Sequence, residues 1–82
     1  MTEPLSLDRL PVGEARVIAA VGIPAGDRLV RCRLLEMGLL PGTEVRVIRR
    51  APLGDPIELR LRGYALSLRR EVAAAVTLRA RP

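Results

Sequence analysis

The residue types that usually carry catalysis are sparse in this sequence. It has no histidine, and its one cysteine, Cys32, lies between Arg31 and Arg33. Without histidine, the chain lacks the side chain that most often serves as a general base near neutral pH. The flanking arginines could make the Cys32 thiol reactive, but a small apolar side chain on the flank of a helix explains it as well. We therefore expect no catalytic residues and no enzyme.

Metal and nucleotide sites are not expected either. A site for Fe(II) or Zn(II) normally needs histidine or several cysteines, and carboxylates such as Asp27, Glu36 and Glu44 are scattered along the chain. Residues 24–28 lack the lysine and the serine or threonine of a phosphate-binding loop. We expect no metal site, no bound cofactor and no GTP hydrolysis by this chain. A metal shared by the cysteines of two copies stays open.

Length and composition favour one small domain covering residues 1–82. Hydrophobic residues make up 49% of the chain, but they are almost all aliphatic, and Tyr64 is the only aromatic residue. The longest uncharged stretch, residues 17–26, is half as long as the roughly 20 residues that a membrane-spanning helix needs. Acidic residues near the N-terminus do not fit a signal peptide, and a single cysteine fits a reducing compartment. We expect a cytoplasmic protein without a membrane span.

Apolar periodicity predicts strands and one helix. Residues 16–21 form a β-rich run that ends at Gly22. Asp27 can cap the next helix, in which Val30, Leu34 and Met37 recur on one face, and Gly38 can end that helix in a left-handed conformation. This helix is predicted to span about three turns.

Further along the chain, apolar and charged residues alternate. Residues 44–48 and 57–62 are predicted to be strands on either side of a proline-containing loop at residues 50–56. Residues 65–68 and 75–78 are predicted to be two more strands, separated at residues 69–71 by a short break or one helical turn. The prediction is a mostly β fold, a small SH3-like β-barrel of about five strands with one short helix after the first strand.

Three segments resemble a known family. Residues 34–42, Leu-Leu-Glu-Met-Gly-Leu-Leu-Pro-Gly, resemble the helix end of the FeoA family, small cytoplasmic accessory proteins of bacterial ferrous iron transport. Residues 51–56 resemble that family's hairpin loop, and residues 65–69 resemble the strand that follows it. The resemblance runs from about Leu5 to Leu78. It implies an SH3-like barrel that serves the membrane transporter FeoB, whose cytosolic part hydrolyses GTP, and it carries over no catalytic residue.

A partner-binding surface is predicted from leucines that neither the helical nor the strand periodicity assigns to the core. Leu39 and Leu40 follow the helix stop, and Leu53 lies at a loop tip. Together with Pro52, Asp55, Arg49 and Arg50, they form one predicted apolar patch with a charged margin. The alternative is that Leu39 packs back on the helix and Leu53 folds over the mouth of the barrel. Self-association of the chain stays open.

Nucleic-acid binding is the rival function. The net charge is +5 and every basic residue is arginine, so the pairs Arg49-Arg50 and Arg69-Arg70 could contact phosphates. Barrels that bind single strands use exposed aromatic rings, however, and acidic residues interrupt the arginines along the strands. A further alternative is an interaction module related to the C-terminal domain of metal-dependent repressors. Both alternatives are less favoured than the transporter accessory.

Charge pairing also predicts the register of the central hairpin. With Val45 opposite Leu59 and Val47 opposite Ile57, each of the outward arginines 46 and 60 faces a glutamate. A register shifted by two residues would place Arg46 opposite Arg60, which like charge disfavours.

Overall fold

The structure, a computed structural model that describes residues 4–80, contains six short antiparallel strands. They form one sheet in the order β1-β6-β2-β3-β4-β5. Their bounds are β1 Leu5–Ser6, β2 Ala15–Val21, β3 Glu44–Arg50, β4 Ile57–Leu61, β5 Tyr64–Leu68 and β6 Val76–Leu78. The mostly β fold is confirmed. One strand is added to the five predicted, because Leu5 and Ser6 pair with Leu78 and Thr77.

Two α-helices and two 3-10 turns connect the strands: α1 Arg28–Glu36, α2 Arg70–Ala73, and the turns Leu7–Arg9 and Pro24–Gly26. The Asp27 carboxylate accepts hydrogen bonds from the N–H groups of Leu29, at 3.0 Å, and Val30, at 3.3 Å. The predicted N-cap is therefore confirmed. The helix ends at Glu36, earlier than predicted. Met37, predicted to lie on its buried face, is instead the C-cap residue and is 37% exposed. Within residues 4–80, neither helix has the length and apolar character to cross a membrane.

Strand β2 bends the sheet into a barrel because it belongs to both of its halves. Its residues 15–17 pair with β3, and its residues 18–21 pair with β6. The register shifts between Ile18 and Ala20, and such a bulge increases the local twist and bend of a strand. The enclosed core is aliphatic, as predicted, and its buried residues are Leu7, Leu10, Ile18, Val21, Leu34, Leu39, Val45, Val47, Ile57, Leu59, Leu61, Leu68, Ala73, Val76 and Leu78.

The predicted register of the β3–β4 hairpin is wrong. Val47 lies opposite Leu59 and Arg46 lies opposite Arg60, which is the arrangement that charge pairing disfavoured. Two features of the backbone set this register: a bulge at Ile48, and a loop in which the Ala51 N–H donates to the Pro56 carbonyl at 3.0 Å. Cross-strand charge pairs contribute less than about 1 kcal/mol each, so the geometry of the loop decides the register.

Candidate partner-binding site

The β3–β4 loop, residues 51–56, is held in place by hydrogen bonds at its base and on one side. The Gly54 N–H donates to the Ala51 carbonyl at 2.7 Å. The Asp55 carboxylate accepts from the Arg70 backbone N–H at 2.8 Å and so caps the start of α2. At the tip of this braced loop, Leu53 is 93% exposed. The loop therefore presents an apolar side chain from a fixed backbone, as the sequence predicted for Leu53.

The two arginines beside this loop both have partners within the chain. Arg49 pairs with Glu58, with Nε 2.8 Å from Oε1. Arg50 donates from Nη2 to the backbone carbonyls of Asp8, at 2.8 Å, and Leu10, at 2.9 Å. Arg50 thus fastens the N-terminal lead-in to the end of β3. Its first role is structural, whereas the exposed Arg49 remains at the margin of the predicted patch.

Leu39 does not contribute to a surface, because its side chain is fully buried. Helix α1 ends in a Schellman motif: the Gly38 N–H donates to the Leu35 carbonyl and the Leu39 N–H donates to the Leu34 carbonyl, both at 3.0 Å. Gly38 takes the left-handed conformation that this motif needs, with φ +99°. An apolar contact between the second residue after the helix and its last turn accompanies the motif. The exposed position predicted for Leu39 is therefore wrong, and the alternative of a cap contact is right.

Leu40 remains at the surface, together with residues that the sequence did not single out. Leu40 and Met37 are each 37% exposed, and Tyr64 is 41% exposed. Tyr64 lies over the helix end, since a Cβ added to Gly38 would stand 2.7 Å from the Tyr64 hydroxyl oxygen. We call Met37, Leu40 and Tyr64 the helix-end cluster. One feature of the sequence could have indicated that Tyr64 is exposed. This residue directly follows Gly63 in a tight turn, and residues at tight turns lie at the surface.

The single patch predicted from sequence is divided in two. Leu40 precedes β3 and Leu53 follows it, and the seven residues of this strand span about 23 Å at about 3.3 Å per residue. One surface comprises Pro52, Leu53 and Asp55 with Arg49 nearby, and the other is the helix-end cluster. Strand β5 runs between them, because its first residue, Tyr64, belongs to the helix-end cluster and Arg70, just beyond its end, contacts Asp55.

The groups considered for metal or thiol chemistry do not gather into one site within residues 4–80. Cys32 is a free, exposed thiol on α1, and the adjacent Arg31 donates from Nε to the Val21 carbonyl at 3.0 Å, which ties the helix to β2. Across residues 4–80, no three side chains of histidine, cysteine, aspartate or glutamate are grouped in a way that could hold a metal ion.

The barrel and its surfaces define a small SH3-like domain whose exposed features suit protein contact. The family comparison agrees with this class: the FeoA domain model matches residues 5–80. This chain belongs to the FeoA family, as the resemblance in its sequence indicated.

Three relatives show how far the likeness extends. A fusion of Fe(2+) transport protein A with the Fe(2+) transporter FeoB from Porphyromonas gingivalis is 40% identical over 72 residues, which cover 88% of this chain and 8% of the fusion protein. The chain therefore spans only a small part of this curated relative. The solution structure of a FeoA-like protein from Clostridium acetobutylicum is 35% identical and covers 98% of this chain and 90% of that one, with a TM-score of 0.82.

The third relative is the FeoA of Stenotrophomonas maltophilia, described as a prokaryotic SH3 domain protein and crystallised with zinc. It is 27% identical over 90% of this chain and 88% of that one, with a TM-score of 0.81. The predicted SH3-like fold is confirmed by this likeness.

Proposed function

We propose that this chain is a cytoplasmic accessory protein of bacterial ferrous iron uptake, and that it acts by binding the cytosolic GTP-hydrolysing region of a FeoB-type transporter. The observation that carries the proposal is the Porphyromonas gingivalis relative, in which a FeoA-type segment and the transporter form one polypeptide. Fusion places the two parts at a high effective concentration, which favours a contact between them.

The structure supports a contact role in two ways. The braced β3–β4 loop presents Leu53, which is 93% exposed, and the helix-end cluster places a second group of exposed apolar residues about one strand length away. Exposed apolar side chains with a charged margin are typical of protein interfaces. Both groups lie on segments whose backbone is held by hydrogen bonds, to the Asp55 carboxylate and between backbone groups. Binding would therefore cost little entropy for ordering the backbone.

A binding assay with purified components tests the proposal. The transporter's cytosolic domain is immobilised, and the chain is passed over it with GTP, with GDP and without nucleotide. We expect saturable retention in at least one of these states and none on an unrelated immobilised GTPase. The absence of retention in every nucleotide state would refute the proposed contact, and equal retention on the unrelated GTPase would show that it is not specific.

A further inference from the structure

Strand β5 has a free edge, and the positions of its backbone groups follow from the hairpin that it forms with β4. The turn between them consists of Arg62 and Gly63, with φ +49° and +83°. A two-residue turn with both φ angles positive is type I′, and it makes Leu61 and Tyr64 a hydrogen-bonded pair. Hydrogen-bonded and non-hydrogen-bonded pairs then alternate. Ala65 and Ser67, opposite Arg60 and Glu58, therefore point their backbone N–H and C=O groups away from β4.

These outward backbone groups are available to a partner. In the sheet order, β5 is an end strand with β4 as its one neighbour, and Ala65 and Ser67 are exposed. Among the described residues, no backbone group outside the sheet forms a hydrogen bond with Ala65 or Ser67. The edge thus offers two N–H donors and two C=O acceptors in the spacing of a strand.

The β5 edge also lacks the usual protection against strand addition. Natural edge strands are often very short, or carry charges or proline. The opposite end of the sheet follows this rule, because β1 has only two residues. In contrast, β5 has five residues, Tyr-Ala-Leu-Ser-Leu, with no charge and no proline. An exposed edge of this kind is the template that binds an extended peptide by β-augmentation.

The charged residues near the β5 edge indicate which peptides it would bind. Arg60 lies opposite Ala65 and is flanked on its other side by Arg46. Within residues 4–80, neither arginine forms an ion pair with a carboxylate; Arg46 instead donates to the Gly13 carbonyl. A strand added beside β5 would lie two strand spacings, about 10 Å, from β4. The small side chain of Ala65, which lies between them, does not block Arg60 from reaching that strand.

An arginine stands at each end of β5, but only the end near Arg62 is net positive. Arg62 stands in the turn before the strand, Arg69 follows its last residue, and both are exposed. On the outward face, Glu58 is paired with Arg49, and Glu44 lines one surface depression with Arg46, Arg60 and Arg62. Beside Arg69 lie three carboxylates, those of Asp8, Asp55 and Glu71. A bound strand with acidic side chains on this face therefore meets net positive charge beside Arg60 and Arg62, where three arginines accompany one carboxylate. A second copy of this chain is disfavoured, because two β5 strands side by side would bring Arg62 and Arg69 of both copies together.

We propose that an extended acidic segment of a protein partner binds along β5 as an additional strand of the sheet. Its backbone pairs with Ala65 and Ser67, its carboxylates face Arg60, and its ends reach the helix-end cluster and the β3–β4 loop. The inference deepens the proposed function, on which it rests for the source of the segment, the transporter's cytosolic region. The five residues of β5 seat a segment of about 17 Å at about 3.4 Å per residue.

The first test uses a synthetic probe and the unmodified protein. A fluorescein-labelled peptide of alternating glutamate and valine is titrated with the chain, beside the same peptide with lysine in place of glutamate. We expect saturable binding of the acidic peptide only, with the amide protons of Ala65 and Ser67 becoming protected from solvent exchange. The absence of binding, equal binding of the lysine peptide, or binding without protection of these two amides would overturn the proposal.

The second test uses matched variants. Ser67→Pro removes an outward N–H that the β4 ladder does not use, and proline is tolerated at such edge positions, whereas Ser67→Ala keeps the N–H. Because a lost hydrogen bond costs about 1 kcal/mol or more and a ring at the edge also obstructs pairing, we expect Ser67→Pro to weaken peptide binding about tenfold or more. We expect Ser67→Ala to change binding less than about twofold. Arg60→Glu should weaken binding, whereas Arg28→Glu, an equal charge change on α1, should not. Equal binding by Ser67→Pro and the unmodified chain would refute the site.

The same variants separate this inference from the proposed function. If the transporter's cytosolic domain retains the unmodified chain and Ser67→Pro equally, the transporter does not bind through β5; the inference is then wrong and the transporter contact stands. If the acidic peptide binds through β5 but the transporter domain does not bind the chain, the proposed function fails and the β5 site stands. Self-association abolished by Ser67→Pro, or a preference for a labelled oligonucleotide over the peptide, would assign this surface to a different occupant and overturn the inference.

Discussion

Arg49 and Glu58 meet across the central hairpin because β3 contains one extra residue, with Nε and Oε1 2.8 Å apart. Before the bulge at Ile48, Arg46 faces Arg60; after the bulge, Arg49 faces Glu58. The bulge therefore brings one pair of opposite charges together in a hairpin whose register also places two arginines side by side. The pair is a consequence of the register and not its cause, since the loop that closes the hairpin fixes both.

The Arg49–Glu58 ion pair should contribute little to stability. The Arg49 side chain is 77% exposed, and exposed pairs contribute about 0.2–1 kcal/mol. We expect a double-mutant cycle of Arg49→Gln and Glu58→Gln, measured by urea unfolding, to give a coupling energy in this range that falls as salt is added. A cycle of Arg62→Gln with Glu58→Gln serves as the control and should give no coupling. A coupling energy well above 1 kcal/mol, or one insensitive to salt, would contradict this prediction.

Asp55 should stabilise the fold through its hydrogen bond to α2. Its carboxylate accepts from the Arg70 N–H at 2.8 Å, and the loss of a helix cap typically costs about 0.5–2 kcal/mol. We expect Asp55→Ala to lower the free energy of unfolding by an amount in this range, as measured by urea denaturation. Asp55→Asn is the matched control, because its amide oxygen can still accept the bond. An equal loss in both variants would show that the charge of Asp55 matters and not its role as an acceptor.

The sequence predicted the elements of the fold more successfully than the relations between them. Asp27 as a helix cap, Gly38 as a left-handed stop and the buried valines 45 and 47 each follow from local rules, and local rules are what a sequence displays. The hairpin register failed because it depends on one bulged residue and on the closure of a six-residue loop. Neither the alternation of apolar residues nor their charges specifies these features.

The candidate site was predicted in part for a similar reason. Leu53 is exposed because a loop tip has no core to enter, which the sequence shows directly. Leu39 is buried because the Schellman motif turns it back onto α1, and adjacent leucines in a sequence do not reveal which of them turns. The free edge of β5 is a property of strand order, and strand order depends on contacts between residues far apart in the chain.

Metal should play no part in folding. Residues 4–80 contain no grouped set of metal-ligating side chains, and a protein whose fold depends on metal loses stability when the metal is removed. We expect the thermal midpoint of unfolding to be unchanged after treatment with a chelator and after addition of Fe(II) or Zn(II), as measured by circular dichroism. A drop of several degrees with the chelator, reversed by either ion, would contradict this expectation.

The three leucines of the originally predicted patch should separate into two classes. Leu39 is fully buried, whereas Leu53 is 93% exposed. Truncating a buried leucine typically costs about 2–5 kcal/mol, and exposed substitutions usually change stability by less than about 0.5 kcal/mol. We therefore expect Leu39→Ala to lower the free energy of unfolding strongly, Leu53→Ser to leave it nearly unchanged, and Leu40→Ser, at a 37% exposed position, to fall between them.

If the β3–β4 loop contacts the transporter's cytosolic domain, the substitution that least affects stability, Leu53→Ser, should clearly weaken binding. We expect Leu53→Ser to weaken association by about 1–2 kcal/mol or more, as the loss of an apolar anchor does, while its melting curve matches that of the unmodified chain. Arg49→Glu should mainly slow association and raise its tolerance of salt, because marginal charges act on the approach of partners. The measurement is a melting curve beside a binding titration for each variant. If Leu53→Ser binds as tightly as the unmodified chain, the loop tip is not part of the interface, and the β5 edge and the helix-end cluster are the surfaces that remain to account for the contact.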